Sequence, residues 1–298
     1  MLSFKPITIE DKKLITPFTL TSQYMNCDFA FANMCSWQFF YGSEYAIQDD
    51  FLFIRFILEG QKQKSYMFPV GEGNLVHAIG LLQKETETDE HRLCISGITP
   101  EAKEQLETLY PTGFRYVADR NFFDYIYLRE DLQYLKGKKY QAKRNHINKF
   151  NKLYSYTYMP ITREMIPLCL ELEYKWYQAN KKDADIGDLQ HENQSMIFAL
   201  NHFEVLDLTG GAIIVNDEII AFTYGSPVNS NTFAVHVEKA DVQYEGIFSI
   251  INQEFVSHLP EQYQYINREE DLGIPGLRQA KLSYHPAILL EKSTAIKK

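Results

Sequence analysis

An order of elements that occurs twice along the chain constrains its fold more than any other feature. In the second half, residues 211–215 read as a strand, Asn216-Asp217 as a two-residue turn, and 219–224 as the returning strand of a hairpin. A polar turn at Asn229-Ser230-Asn231 leads to a third strand over 232–237. After Gly246, the residues Ile247, Ile250, Ile251, Phe255 and Leu259 fall near one face of a helix over 247–259. Residues 263–266 read as a short strand and 287–290 as a last one. Between them Pro275 opens a helix through Leu282, since its fixed φ and missing N–H suit a first helical position.

The first half repeats this order with different residues. Strands over 45–48 and 51–58 flank an Asp49-Asp50 turn, and 66–68 is a third strand. Gly71 and Gly73 precede a helical run over 75–82, and 93–98 is a strand. Thr99 caps a helix with Pro100 at its first position, Pro111 and Gly113 end it, and 125–128 is a strand. Each half thus reads hairpin, strand, glycine turn, helix, strand, helix, strand. Hairpins mixed with helices imply an α+β fold with a mixed sheet in each half. A chain of 298 residues has room for two such domains. The boundaries expected are 1–132 and 156–298, joined by a helix over 133–155.

Composition removes several alternatives. With 45% hydrophobic and 23% charged residues the chain is neither collagen, coiled coil nor a disordered polymer. Cys27, Cys35, Cys94 and Cys169 lack Cys-x-x-Cys spacing, so no zinc ribbon or thioredoxin motif is expected, and so few cysteines suit a reducing compartment. The histidines form no metal constellation: His191-Glu192 lacks the second histidine of His-Glu-x-x-His. There is no Gly-x-Ser-x-Gly elbow, Walker loop or dinucleotide fingerprint. The N-terminus has no signal-like apolar core, and no run approaches the ~20 apolar residues of a membrane span. A cytoplasmic protein without integral membrane association is therefore expected.

The formal net charge of −9 hides a local excess of the opposite sign. The segment KGKKYQAKRNHINKFNK, residues 136–152, holds Lys136, Lys138, Lys139, Lys143, Arg144, Lys149 and Lys152 and no acid. On a helix Tyr140, Ile147, Phe150 and Tyr154 share one side, suited to packing on a domain. Lys136, Lys138, Lys139, Lys143 and Arg144 are candidate contacts to a phosphate-rich ligand such as RNA. A solvated connecting helix whose charges balance acidic neighbours is the plainer alternative.

The segment DVQYEGIFSIINQEF joins a strand to a helix through Gln243, Tyr244, Glu245 and Gly246. Helix N-termini present unpaired N–H groups and favour anions. The arrangement is similar to the acyl-coenzyme A loop of the GNAT acyltransferases, Gln/Arg-x-x-Gly-x-Gly/Ala. Gln243 and Gly246 match it, whereas Phe248 stands where the second small residue belongs and crowds the backbone. The element order of each half also resembles a GNAT core.

Three stretches, GKKYQAKRNHINKF (137–150), HVEKA (236–240) and NREEDLGIPGLRQAKLSYHP (267–286), resemble one uncharacterised bacterial family. That family is similar to the C-terminal domain of phosphatidylglycerol lysyltransferases. The resemblance spans essentially the whole chain. It implies two tandem GNAT-like domains, as in Fem-type peptidoglycan aminoacyltransferases, which move an aminoacyl group from charged tRNA to an acceptor hydroxyl or amine. Phosphatidylglycerol lysyltransferases carry membrane spans before this domain and this sequence has none, which leaves a soluble acceptor open.

Such transfer needs a base, a group to stabilise the carbonyl oxyanion, and an acid for the leaving group. Glu238, beside the expected donor cleft, is the candidate base, with a surface pair to Lys239 as the alternative. His236 alternates with Glu238 and is expected on the same side of the strand. Glu269, Glu270 and Asp271, beside Arg268, suit either a cationic substrate or a salt-bridge network. Arg278 and Lys281, three apart on a helix, can hold a phosphate or carboxylate. Gln243, Gly246, Arg268, Arg278 and Lys281 are thus candidate donor-binding residues. Tyr284 is a candidate proton donor or a packing ring. The aromatic run 37–41 and the tyrosines around Trp176 suit an acceptor pocket or a domain core. The expected activity is aminoacyl transfer from aminoacyl-tRNA to an amine or hydroxyl. An acyl-coenzyme A donor and a non-catalytic module binding a phosphorylated ligand are the alternatives.

Overall fold

The computed structural model describes residues 1–58, 60, 62–87, 92–180 and 186–298. Two mixed sheets form, flanked by helices, in the α+β arrangement expected. The first runs Lys5–Pro6, Glu44–Gln48, Phe51–Ile57, Lys64–Met67, Cys94–Ile98, Ser293–Lys297, Phe114–Ala118, with Val70–Gly71 pairing Phe51–Ile57. The second runs Ile288–Leu290, Asp124–Leu128, Tyr265–Asn267, Thr232–Ala240, Glu218–Pro227, Thr209–Val215, Thr157–Pro160. Each has one parallel pair in the corresponding place: Lys64–Met67 with Cys94–Ile98, and Thr232–Ala240 with Tyr265–Asn267.

Local chemistry accounts for the repeated hairpins. Asp49 and Asp50 have φ of 50° and 60°, and Asn216 and Asp217 of 50° and 62°. Two successive left-handed residues are what a two-residue hairpin turn requires, and Asn and Asp tolerate them better than other side chains. The expected caps also form: Thr99 accepts from the Ala102 N–H at 3.3 Å ahead of Pro100–Leu109. Pro275 opens Pro275–Leu282.

The sheets do not follow the chain's halves. Ser293–Lys297, the last strand, inserts between Cys94–Ile98 and Phe114–Ala118 of the first sheet. Asp124–Leu128 inserts between Tyr265–Asn267 and Ile288–Leu290 of the second. The exchange is reciprocal, so each sheet is completed by a strand from the other half. Ser293–Lys297 and Phe114–Ala118 were not expected from the sequence pattern.

Three apolar cores hold this frame. One lies under the first sheet and contains Phe53, Ile79, Leu82, Ile95 and Leu106. A second joins the second sheet to Gln141–Leu153 and Ile247–His258 through Tyr140, Phe150, Phe233, Ile251 and Phe255. Of the expected stripe, Tyr140, Ile147 and Phe150 are buried, while Tyr154 is half-buried just past the helix end at Leu153. The third core draws Ile15, Phe29 and Leu52 together with Cys169, Met196 and Phe222, so the halves share an interior. Trp37, Phe40 and Tyr41 pack at this junction, the Phe40 ring lying 4.5 Å from that of His191. Among the described residues no helix is long and apolar enough to cross a membrane.

Candidate functional site

Pairing between Thr232–Ala240 and Tyr265–Asn267 ends at Ala234 opposite Asn267. Tyr265–Asn267 ends there while Thr232–Ala240 continues, and Glu238 and Arg268 sit at the opening this leaves. Arg268 Nη2 donates to Glu238 Oε1 at 3.2 Å, each side chain keeping 12% of its surface exposed. The second atoms, Glu238 Oε2 and Arg268 Nη1, are buried without a protein partner. Buried polar atoms are nearly always satisfied, so these two, like four others among the described residues, call for a partner.

Lys143 joins them from the basic helix. Its ammonium lies 3.8 Å from the centroid of the Tyr284 ring, and the Arg268 guanidinium lies 5.0 Å from the same ring. Burial and the neighbouring Arg268 charge lower the Lys143 pKa to about 8, against a smaller pull from Glu238. Tyr284 is buried, and its hydroxyl lies 3.5 Å from Ser249 Oγ inside the core. What it offers the cations is a ring face.

His236 does not share the side of Glu238. Gly225 pairs with Val235 and Tyr224 with Val237, so His236 is the extra residue of a β-bulge and the alternation changes phase there. A Cβ at Gly225 would meet the Ala234 carbonyl oxygen at 1.9 Å, so this irregularity needs glycine. The His236 ring bridges Ser226 Oγ at 2.7 Å through Nε2 and Glu269 Oε1 at 2.8 Å through Nδ1. Asn33 Nδ2 donates to the same Glu269 oxygen at 2.8 Å.

The other two carboxylates of the 269–271 run are structural anchors. Asp271 accepts from Arg278 Nε and Nη2 at 2.9 and 2.8 Å, from Arg120 at 3.1 Å and from the Tyr125 hydroxyl at 2.5 Å. The Arg278 hydrogen bonds lead in holding its carboxyl well below the usual carboxylate range. Glu270 pairs with Lys292, which also reaches Asp124 at 2.8 Å and Asp28 at 3.0 Å. Cys27 Sγ, Asp124 and Glu270 have ligand atoms within 4.8 Å of one another, but the Lys292 ammonium already supplies the cation of this cluster. Asn267 Nδ2 donates to Asp124 Oδ2 at 2.7 Å and fixes the start of the loop.

The remaining expected residues are dispersed. Arg278 is engaged by Asp271 and by Asn121 at 2.7 Å, and Lys281 donates to the Arg268 carbonyl at 2.5 Å and to the Glu270 carbonyl. Neither presents a free cation to a ligand. Gly246 has φ +92°, and a Cβ there would meet the His146 carbonyl oxygen at 2.7 Å. The close approach that this glycine permits is thus made by the protein's own basic helix, and Lys149 pairs with Glu245 across the same contact. Gln243 is exposed, and its N–H donates to Asp241 at 2.9 Å. Within the basic strip, Arg144 is tied to the Leu135 and Gly137 carbonyls and Lys139 to Asp131 at 3.2 Å. Lys136 and Lys138 are exposed, while Lys143 turns into the strand opening.

Reciprocal strand exchange between two like halves, and a strand opening armed with ionisable side chains in the second, define a tandem α+β protein. Residues 21–296 match the model of the family described as phosphatidylglycerol lysyltransferase, C-terminal, and the chain belongs to that family. A conserved protein of unknown function from Bacteroides thetaiotaomicron is 48% identical, with a TM-score of 0.96 and full coverage of both chains. The C-terminal domain of a putative lysylphosphatidylglycerol synthetase from Agrobacterium fabrum superposes with a TM-score of 0.66 at 12% identity, over 97% of this chain and 92% of that one. It shares the fold. An uncharacterized protein of Mycoplasmoides gallisepticum is 25% identical over 199 residues, spanning 66% of this chain and 63% of its own length.

Proposed function

We propose that this protein transfers an aminoacyl group from aminoacyl-tRNA to an amine or hydroxyl acceptor at the opening between Thr232–Ala240 and Tyr265–Asn267. The observation that carries the reading is the convergence of Glu238, Arg268 and Lys143 there, with Glu238 Oε2 and Arg268 Nη1 unpartnered. The acceptor attacks the ester carbonyl and gives its proton to Glu238 Oε2. Arg268 Nη1 donates to the oxyanion that develops. As the carbon–oxygen bond to the ribose breaks, Lys143 returns a proton to the leaving hydroxyl, with a pKa near working pH suited to that exchange. One bond to the carbonyl carbon forms and one breaks, and the proton taken up by Glu238 balances the one released by Lys143.

The family's description names a lysyl group, so lysyl-tRNA is the first donor to try. Lys136 and Lys138 are the members of the strip best placed for RNA phosphates, because they are exposed. An acyl-coenzyme A donor is disfavoured by the His146 carbonyl lying against Gly246, where its pyrophosphate would approach. The test is single-turnover transfer from radiolabelled lysyl-tRNA to a panel of amines and hydroxyls. Glu238→Gln should slow the step by about 100-fold or more. A rate unchanged in Glu238→Gln, or tRNA binding indifferent to salt, would refute the reading.

A further inference from the structure

The three consecutive carboxylates divide their work. Glu270 faces Lys292, and Asp271 is enclosed by Arg278, Arg120 and Tyr125. Among the described residues, the ion pairs of this run leave Glu269 only His236. His236 and Asn33 both donate to Oε1, so Oε2 is the open end of the carboxylate. Exposure rises along the array: Ser226 is 3% exposed, the His236 ring 6% and the Glu269 side chain 21%. A serine nucleophile needs the opposite order, with the hydroxyl at the open end and the carboxylate innermost. Here the carboxylate leads, and the imidazole and hydroxyl support it from behind.

The backbone at Glu269 is held in the left-handed region at φ +58°, with its N–H donating to Asn267 Oδ1 at 2.7 Å. A non-glycine residue rarely persists there unless its surroundings enforce it. Arg268 and Glu269 are chain neighbours just past the end of Tyr265–Asn267. Arg268 lies against Tyr127 and Tyr284, and Glu269 against His236 and Asn33. Adjacent residues at the opening thus carry a cation on the Glu238 side of the strand and an anion on the His236 side, each with one committed atom and one available.

We propose that Glu269 anchors the primary ammonium of a substrate through Oε2, with His236, Asn33 and Ser226 as positioning residues. His236 gives Nδ1–H to the carboxylate, which leaves Nε2 to accept from Ser226 and fixes the ring. The inference rests on the aminoacyl-transfer reading and specifies a determinant of its substrate. The ammonium is either the α-amino group of the aminoacyl donor or an alkyl ammonium, carried by a lysyl side chain or by the acceptor away from its attacking group, and two probes separate these two chemistries.

The experiment titrates the whole protein near neutral pH by calorimetry with glycinamide, n-butylammonium and the neutral analogue n-butanol. One of the two cations should bind and n-butanol should not. Glu269→Gln should weaken that binding about 10-fold or more, as expected for loss of a charged hydrogen-bonding partner. His236→Gln, whose amide can still donate to Glu269, should retain more affinity than His236→Ala at equal urea midpoints. Binding of neither cation, equal binding of n-butanol, or unchanged affinity in Glu269→Gln would overturn the proposal. Cation binding that depends on Glu269 without any transfer from lysyl-tRNA would instead sink the activity and leave the anchor standing.

Discussion

Replacing Lys292 with Met should test whether one buried cation locks the two halves together. The ammonium is 6% exposed and lies 2.8 Å from an Asp124 oxygen that is fully buried. At that separation the attraction is about 6 kcal/mol at an effective dielectric of ~20. Burial alone would pull the lysine pKa down, but Asp124, Asp28, Cys27 and Glu270 together hold it well above its ordinary value. Met keeps the packing and leaves Asp124 without a counter-ion, which costs about 3–5 kcal/mol when one partner of a buried pair is removed. With an unfolding entropy of ~2.1 cal/mol/K per residue, a chain of this length should lose about 5–8 °C in Tm. Calorimetry and urea unfolding measure both quantities. Adding Asp124→Asn to Lys292→Met should recover part of the loss, because it removes the stranded charge. The lysine's folded pKa is raised, so its contribution is fully present below about 10.5 and is lost as pH rises through the folded value. A Tm shift under about 2 °C, or strict additivity in the double variant, would refute the reasoning.

Three further outcomes follow from other parts of the structure. Gly246→Ala should destabilise the protein by about 1–3 kcal/mol in urea unfolding, because it combines strain at φ +92° with a clash at the His146 carbonyl. Transfer should fall as pH rises through about 8 if Lys143 is the acid, and Lys143→Arg should remove that limb from the pH–rate profile. The depressed Asp271 carboxyl gives stability that is present above its unfolded pKa near 3.8 and lost as pH falls towards the folded value. Arg278→Met should therefore flatten the acid limb of a stability–pH curve.

The parts of the fold that were legible in the sequence are those set by neighbours in the chain. Asp49-Asp50 and Asn216-Asp217 announce their hairpins because few residues accept two successive positive φ values. The stripe of Tyr140, Ile147 and Phe150 announces its helix face through spacing alone. Ser293–Lys297 announces nothing, since Ser-Thr-Ala-Ile-Lys is too short and polar to read as an interior strand, and its partners lie near residues 95 and 116. Lys292 is likewise an ordinary lysine until the strand exchange carries it to Asp124. The assignment of His236 to the side of Glu238 failed because strict alternation holds only without a bulge. Gly225, just past the strand expected over 219–224, was the available sign of one. Ser226 and Asn33, which complete the Glu269 array, have no local signature because they come from distant elements.

The strand exchange and the candidate chemistry depend on the same loop. Residues 267–271 connect the strand Tyr265–Asn267 to Pro275–Leu282, and every anchored member of the loop reaches into another part of the chain. Asn267 reaches Asp124 and the Met25 carbonyl, Glu269 reaches Asn33, Glu270 reaches Lys292, and Asp271 reaches Arg120. Arg268 is thus held in the opening by contacts made by both halves, although the opening belongs to the second sheet alone. A fragment carrying only the second half would lack Asp124, Asn33 and Arg120, and with them the geometry of Arg268 and Glu269. It would also leave Tyr265–Asn267 without its neighbour Asp124–Leu128. The first half is therefore required to build the site even if no substrate touches it. The two halves should unfold in a single transition in calorimetry, and separate transitions would show that the loop can keep its shape without the exchange.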